Sequence, residues 1–141
     1  MDRIPKYDMA VNLLNQYAKG REREHGLCVA QYVGEMCDER GYSVEQKDFY
    51  MALGVMHDLI EDCDCSINII DEYFGHELAE ALIAITKDKH ESYDDYMKRV
   101  FKNHHAEFVK RADMKDHLMR LETLTPKLLE KYKPYIGRLM A

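Results

Sequence analysis

Several residue types and segment types are scarce in this sequence, and each absence narrows the class of the protein. The chain has no tryptophan, 3 prolines and 7 glycines in 141 residues. Because proline and glycine interrupt helices, their scarcity favours helical segments over a loop-rich fold. No apolar run is long enough to span a bilayer, and the N-terminal residues do not resemble a signal peptide. We therefore expect a cytoplasmic protein without a membrane partner.

Basic residues are fewer than acidic ones, and the cysteines form no recognisable disulfide pattern. The chain has 20 Lys and Arg residues against 26 Asp and Glu, which gives a formal net charge of −6. We expect no nucleic-acid partner for such an acidic chain, although a local basic pocket can bind a small phosphorylated ligand. The 4 cysteines show no disulfide framework, which favours a reducing compartment. Cys63 and Cys65 form a single CxC motif without a second pair, which is weak support for a metal site.

Helical patterning is what the chain has in abundance. Residues that favour helices are plentiful, and apolar residues recur at helical spacing without any strand-like alternation. The sequence predicts helix N-caps at Ser43 (with Gln46 completing a capping box), Ser66, Ser92 and Thr125. It predicts helix ends near Gly20, Gly41 and Gly75. The length suits one well-formed core, so a single all-α domain over residues 1–141 is predicted.

Two segments are expected to depart from this regular pattern. The charged residues 21–24 are predicted to form a linker between the first two helices. Pro134 lies inside the last helical pattern, where proline removes a backbone hydrogen bond. We therefore expect that helix to be bent or interrupted at Pro134. The preceding helical pattern, which includes Asp113, is expected to continue to Leu121.

The most unusual stretch is the acidic end of an apolar helix, MALGVMHDLIEDCDC, at residues 51–65. His57 lies along the core-facing stripe of this predicted helix. Asp58 and Asp62 form a like-charged i, i+4 pair there, and Glu61 stands one turn from His57. The carboxylates repel one another, and the C-terminal end of the helix dipole makes negative charge less favourable still. This crowding indicates that the stretch binds a cation.

Two further polar residues fall on the inward faces of other predicted helices. His25 begins the apolar face of the second helix, and Asp113 lies on the inward stripe of a later one. A single inward histidine is usually a hydrogen-bonded core residue, and a single inward aspartate usually caps a helix or pairs with a base. In combination with His57 and Asp58, however, such charges would be costly to bury unless a metal neutralised them.

The order of these residues, with Glu61 and Asp62 one turn after the His-Asp pair, resembles the HD superfamily of metal-dependent phosphohydrolases. Within that superfamily, the chain is most similar to the hydrolase domain of the RelA/SpoT family and to its small single-domain homologues. The similar strings, in the family's order, are HGLCVAQYV, ALGVMHDLIED, EYFG, AITK and VKRADMKDHL, which together span residues 25–118. The resemblance implies the compact helical bundle of an HD domain.

The resemblance also implies roles for individual residues. The residues that match the family's metal ligands are His25, His57, Asp58 and Asp113. The implied metal is divalent, and manganese is the usual one in this family. Glu61 and Asp62 match the acidic pair that positions or deprotonates the attacking water. A metal held by four side chains keeps positions for that water and for a phosphate oxygen.

Substrate contacts are expected from residues close to these motifs, namely Arg21, Arg23, Lys87 and His117. Lys110 and Arg111 also lie near Asp113, but a solvated charged face is the simpler interpretation for them. The segment after Asp113 departs from the family, because Asp116-His117 stands where the family usually has His-Asn or Asp-Asn. Since the family's Asn lies close to the substrate, this departure bears on substrate identity.

The resulting hypothesis is a metal-dependent phosphohydrolase that acts on a small phosphorylated nucleotide. The leading substrate class is guanosine 3′,5′-bis(diphosphate), cleaved on its 3′ side to release pyrophosphate. One alternative is an HD hydrolase of another nucleotide, such as a 5′-nucleotidase. Another is a degenerate HD module that binds a nucleotide or metal without turnover. Association into a homo-oligomer is left open by the sequence.

Overall fold

The computed structural model describes residues 5–63, 65–120 and 122–140, apart from the side chain of Asp62. These residues form nine helices and no strand, which confirms the all-α prediction. The helices are α1 (Lys6–Tyr17), α2 (Gly20–Glu39), α3 (Val44–Met56), α4 (Leu59–Asp62), α5 (Ile67–Phe74), α6 (His76–Ile85), α7 (Tyr93–Phe101), α8 (His104–Met119) and α9 (Pro126–Leu139). In this part of the chain, every helix is too short or too polar to cross a membrane.

The helices enclose one hydrophobic core, to which each of them contributes buried side chains. Helix α3 is central, because it packs against α1, α2, α6 and α8. Helix α2 packs against both α3 and α8, so α2, α3 and α8 are in mutual contact. The candidate site lies where these three helices meet.

Two glycines allow α2 and α3 to approach each other closely. A Cβ atom on Gly26 would lie 3.0 Å from the carbonyl oxygen of Val55, which is tighter than most real Cβ contacts. A Cβ atom on Gly54 would lie 3.3 Å from a side chain of α2. Gly26 directly follows His25, and Gly54 precedes His57 by three residues. The close approach of the two helices therefore brings the two histidines together.

Most of the predicted helix boundaries are confirmed. Ser43 and Gln46 form the predicted capping box, in which each side chain accepts a hydrogen bond from the other residue's amide. The predicted caps at the later helices also accept an amide hydrogen bond through their hydroxyl groups: Ser66, Ser92 and Thr125. Local side-chain chemistry thus accounts for most helix starts.

Two of the expected irregularities are wrong. Residues 21–24 are not a linker, because α2 begins at Gly20 and contains them. Their charged side chains are exposed, so a helical first turn leaves them in water. Helix α9 is not interrupted at Pro134. Both Pro134 and Glu130 are exposed, so the Glu130 carbonyl that loses its amide partner lies on the side that faces water. Leu121 lies outside the described residues.

The expectation of one continuous helix through His57 is also wrong. Helix α3 ends at Met56, and the single turn α4 begins at Leu59, with His57 and Asp58 between them. In a continuous helix, the carbonyl of Gly54 would accept the amide of Asp58. Here that carbonyl faces the ring of His57, whose Nδ1 lies 2.7 Å from it. The ring of His57, together with its backbone amide at 3.5 Å, thus occupies this carbonyl at the break.

Candidate metal centre

Four side chains from three parts of the chain converge where α2, α3 and α8 meet. Nε2 of His25 lies 3.2 Å from Nε2 of His57 and 2.8 Å from Oδ1 of Asp113. Nε2 of His57 lies 3.2 Å from the same Asp113 oxygen. Oδ2 of Asp58 lies 3.2 Å from Nε2 of His57 and 3.7 Å from Nε2 of His25. The structure thus brings together the four residues that the sequence analysis assigned to a metal.

The tautomer of His57 follows from the partner of its other ring nitrogen. Nδ1 lies 2.7 Å from the carbonyl oxygen of Gly54, and a carbonyl can only accept a hydrogen bond. Nδ1 therefore carries a proton. In the neutral ring, Nε2 then presents a lone pair to the cluster, which is the form that binds a metal.

The ring of His25 is oriented in the same way by a carboxylate. Its Nδ1 lies 2.6 Å from Oδ2 of Asp116, which is buried at 2 % exposure. The carboxylate accepts the Nδ1 proton, so Nε2 of the neutral ring is left with its lone pair facing His57 and Asp113. A carboxylate behind a histidine is the usual arrangement behind metal-binding imidazoles.

The carboxylate of Asp113 also has one oxygen occupied and one directed into the cluster. Lys110 donates from Nζ to Oδ2 at 2.8 Å, and Oδ1 faces the two imidazoles. Burial alone would raise the pKa of Asp113, but the Lys110 ammonium and the His57 ring hold that pKa well below its usual range. Asp113 is therefore an anion at neutral pH.

The donor set fits a divalent cation. The ligand atoms of His25, His57 and Asp113 all lie within 4.8 Å of one another, and this group could hold a metal ion. Without a metal or a proton between them, two imidazole nitrogens and two carboxylate oxygens would direct lone pairs at one another. Such nitrogen and oxygen ligands suit borderline to hard divalent ions.

The pKa values of the histidines show how strongly the cluster attracts positive charge. Burial by itself would lower the pKa of His57, but the carboxylates of Asp58 and Asp113 raise it well above its ordinary value. The pKa of His25 is also raised, since Asp113 outweighs burial and the repulsion of His57. A metal bound between these atoms would take the place of the protons on the two Nε2 atoms.

His117 lies beside the cluster but differs from the two proposed imidazole ligands. Its ring is tilted by 34° relative to that of His25 at a centroid distance of 4.4 Å, and its Nε2 lies 3.4 Å from Oδ1 of Asp113. Its Nδ1 is buried without a hydrogen-bond partner among the described residues. The proton of a neutral His117 ring therefore belongs on Nε2, which makes this ring a donor towards the cluster.

The other predicted site residues lie on α2, on α4 and in the segment after α6. Glu61 is exposed on the single turn α4, while the side chain of Asp62 lies outside the described residues. Arg21 is exposed in the first turn of α2. Arg23 donates from Nε to Oδ1 of Asn15 at 2.6 Å and is thus directed towards α1. Lys87 donates to the carbonyl of Asp88, and it lines a separate pocket of about 630 Å³ that Ile60 also lines.

Two important residues of the centre were missed by sequence reasoning. The interpretation of Lys110 as a solvated residue is wrong, because it is buried against Asp113. Asp116, which was considered only as part of the substrate segment, contacts His25 instead. Both lie three residues from Asp113 on α8, one before it and one after it, so helical spacing places all three on one face. That spacing was the available signal.

A groove elsewhere on the described residues does not include these ligands. It has a volume of about 1020 Å³ and lies between the start of α1, the start of α3 and the end of α5. Its walls lack the convergent histidine and carboxylate groups of the centre. The chemistry of the donor atoms identifies the candidate site more clearly than the size of any cavity does.

Comparison with known proteins adds no relative. No protein-family model matches the chain, and no curated protein matches it.

Proposed function

We propose that the chain is a metal-dependent phosphohydrolase of the HD superfamily, similar to the RelA/SpoT-type hydrolase domain. The observation that carries the proposal is the convergence of two imidazole Nε2 atoms and two carboxylate oxygens on one point. The proposed ligands are His25, His57, Asp58 and Asp113. Manganese is the proposed metal, because mixed nitrogen and oxygen ligands suit it.

The exposed members of the cluster define the side from which substrate arrives. The side chains of Asp58 and His117 are 35 % and 23 % exposed, whereas those of His57 and Asp113 are buried. A bound metal would lower the pKa of a coordinated water and offset charge on the phosphate under attack. His117 is placed to donate from Nε2 to a phosphate oxygen.

The acidic turn α4 supplies the proposed base. Glu61 is exposed and follows Asp58, the part-exposed member of the proposed ligand set, by three residues. We assign it the proton of the attacking water. Asp62 is proposed to help orient that water, in keeping with the resemblance to the HD hydrolases.

The proposed substrate is a cytoplasmic nucleotide that carries a 3′-diphosphate, as in guanosine 3′,5′-bis(diphosphate). Water adds across the bond between the ribose 3′ oxygen and its phosphorus, which releases pyrophosphate and leaves a 3′ hydroxyl group. Arg21 and Lys87 are proposed to meet the outer phosphates. Arg23 is a weaker candidate, since its guanidinium is bonded to Asn15.

A panel of nucleotides with added manganese tests this proposal. The panel contains the 3′-diphosphate nucleotide, nucleoside 5′-monophosphates and nucleoside triphosphates, and free phosphate and pyrophosphate are measured separately. Pyrophosphate from the 3′-diphosphate is the expected product. Phosphate from the monophosphates would favour a 5′-nucleotidase. Metal binding without any product would favour a binding module.

Matched variants link any activity to the centre. Asp58→Asn keeps the size of a part-exposed ligand but removes its charge, so it is expected to abolish turnover and weaken metal binding. Asp95→Asn makes the same change at an exposed residue of α7 that pairs with Lys98. It is expected to behave as the wild type. Full activity and metal content in Asp58→Asn would contradict the assignment.

A further inference from the structure

Asp116 has no part in the proposed chemistry, yet its carboxylate is fully engaged beside the centre. Oδ2 lies 2.6 Å from Nδ1 of His25, and Oδ1 lies 3.4 Å from the guanidinium of Arg120. The residue is only 2 % exposed. Both oxygens therefore have partners, and neither is open to a substrate.

A buried carboxylate in this position acts on the metal through the ring that it touches. It accepts the Nδ1 proton of His25, which leaves Nε2 to face His57 and Asp113. It also fixes the rotation of the ring about its side-chain bonds. A carboxylate partner makes the imidazole a stronger donor to a metal than a neutral partner would.

Arg120 holds this carboxylate in place from the end of α8. Its guanidinium donates to Oε1 of Glu24 at 2.8 Å and to Sγ of Cys28 at 3.1 Å. Glu24 precedes His25 by one residue and Cys28 follows it by three. Arg120 therefore contacts the turn of α2 that carries His25. The arginine therefore fixes Asp116 and His25 relative to each other.

We propose that Asp116 is a positioning residue of the metal centre, which orients His25 for metal binding and is itself held by Arg120. This inference rests on the metal-binding part of the proposed function. It also assigns different roles to Asp116 and His117, the two residues that depart from the HD pattern. Asp116 serves the metal ligand, and His117 faces the substrate side.

Zinc affinity and imidazole NMR signals test the role of Asp116 directly. Zinc is the probe, because it is diamagnetic and accepts the same nitrogen and oxygen ligands. Loss of a carboxylate behind a ligand histidine typically weakens metal binding about 10–100-fold. Asp116→Asn is therefore expected to raise the zinc dissociation constant by about tenfold or more in a calorimetric titration.

The zinc-loaded protein also contains an internal reference for the NMR measurement. In Asp116→Asn, the Nδ1 proton of His25 is expected to shift upfield, because an amide oxygen accepts a weaker hydrogen bond than a carboxylate. The Nδ1 proton of His57, bonded to the Gly54 carbonyl, is expected to stay in place. A general loss of structure would move both signals.

The control variant is Glu107→Gln, which neutralises another carboxylate of α8 that is paired with an arginine, Arg138. It is expected to bind zinc as the wild type does. Arg120→Gln, at a part-exposed residue, provides a second variant should Asp116→Asn fail to fold, and it is expected to weaken zinc binding in the same direction.

The outcomes separate this inference from the proposed function. If the wild type takes up neither zinc nor manganese, the proposed function fails and this inference fails with it. If the wild type binds zinc and Asp116→Asn binds it equally tightly, with an unchanged His25 signal, this inference alone is overturned. If Asp116→Asn does not fold, wild-type affinity in Arg120→Gln overturns it as well.

Discussion

Two charged clusters of this protein differ in how their hydrogen-bonding capacity is used. The first surrounds Arg99 of α7, whose guanidinium donates to the carbonyls of Ile83, Ala84 and Thr86 at the end of α6. It also donates to both oxygens of Glu91. Each guanidinium nitrogen of Arg99 is paired with an acceptor. The cluster thereby satisfies backbone carbonyls at the C-terminal end of α6.

The candidate metal centre has the opposite character. The outer atoms of its ligand side chains are hydrogen-bonded to Gly54, Lys110 and Asp116. Its inner atoms, in the neutral imidazole form, are all acceptors that face one another. A cluster whose donors and acceptors are all matched indicates a structural role, whereas one whose inner atoms need a proton or a cation between them could hold a metal ion.

The largest expected effects on the free energy of unfolding come from replacing the basic residue of each cluster, Lys110 or Arg99. Lys110→Met leaves the buried charge of Asp113 without its ammonium partner, which is expected to lower the free energy of unfolding by about 3–5 kcal/mol in the presence of a chelator. Saturating manganese should reduce this loss, because the metal also compensates Asp113. Urea unfolding with chelator and with manganese measures both quantities.

Arg99→Met is the matched test for the complete cluster. It is expected to lower the free energy of unfolding by about 1.5–3 kcal/mol through the lost charged hydrogen bonds. That loss should be the same with chelator and with manganese. Equal metal dependence in Lys110→Met and Arg99→Met would remove the distinction between the two clusters.

The second prediction concerns stabilisation by metal. At a free manganese concentration about 100 times its dissociation constant, the wild type should gain about 2.7 kcal/mol in free energy of unfolding. Asp58→Asn should lose most of this gain, since a ligand charge is missing, while Arg99→Met should keep it. Retention of the full gain by Asp58→Asn would show that the metal binds elsewhere.

The third prediction is a pH dependence that metal abolishes. Because the folded-state pKa of His57 is raised, its protonated form stabilises the fold at low pH, and this contribution is lost as pH rises through that pKa. With chelator, the free energy of unfolding should therefore fall between neutral and alkaline pH. With manganese in place of the proton, the fall should disappear. Unfolding curves across this range would contradict the prediction if both conditions gave the same slope.

At acidic pH, the free energy of unfolding is expected to depend on pH in the opposite direction. The pKa of Asp113 is held well below its usual range, so its stabilising charge is lost only as pH falls through that lowered value. The protein with chelator should consequently be most stable in mildly acidic solution. The same series of unfolding curves, extended to low pH, measures this limb.

The smallest effects are expected among the predicted substrate contacts. His117→Ala should lower kcat/KM about tenfold, the loss expected for one hydrogen bond to a charged phosphate. Arg23→Ala should change it by about twofold or less, since Arg23 is exposed and bonded to Asn15. Equal losses of kcat/KM in the two variants would indicate that the substrate contacts Arg23 as well, on the side of the centre near α1.

The helices were predictable because their signals are local. Ser43 and Gln46 are three residues apart and complete their capping box without help from the rest of the chain. The inward positions of His25 and Asp113 followed from helical spacing against apolar neighbours, and both are withdrawn from solvent as expected. These features depend on the residues of one helix at a time.

The outer residues of the centre could not be predicted in the same way. Lys110 was interpreted as solvated because lysine is rarely buried, yet its charge is compensated by Asp113. At the break after Met56, the ring of His57 occupies the Gly54 carbonyl. Asp116 acquires its role only because α2 presents His25 to it from a residue 91 positions away in the chain.

The sequence by itself therefore determined the helices, their caps and the set of inward histidines and carboxylates, since each follows from periodicity or from groups a few residues apart. Only the tertiary structure decided which nitrogen of each histidine faces the centre, which oxygen of Asp113 is engaged, and that Asp116 contacts His25. Those choices are made by partners from other helices or from a break in the chain. Their energies depend on distances and burial that helical spacing alone does not specify.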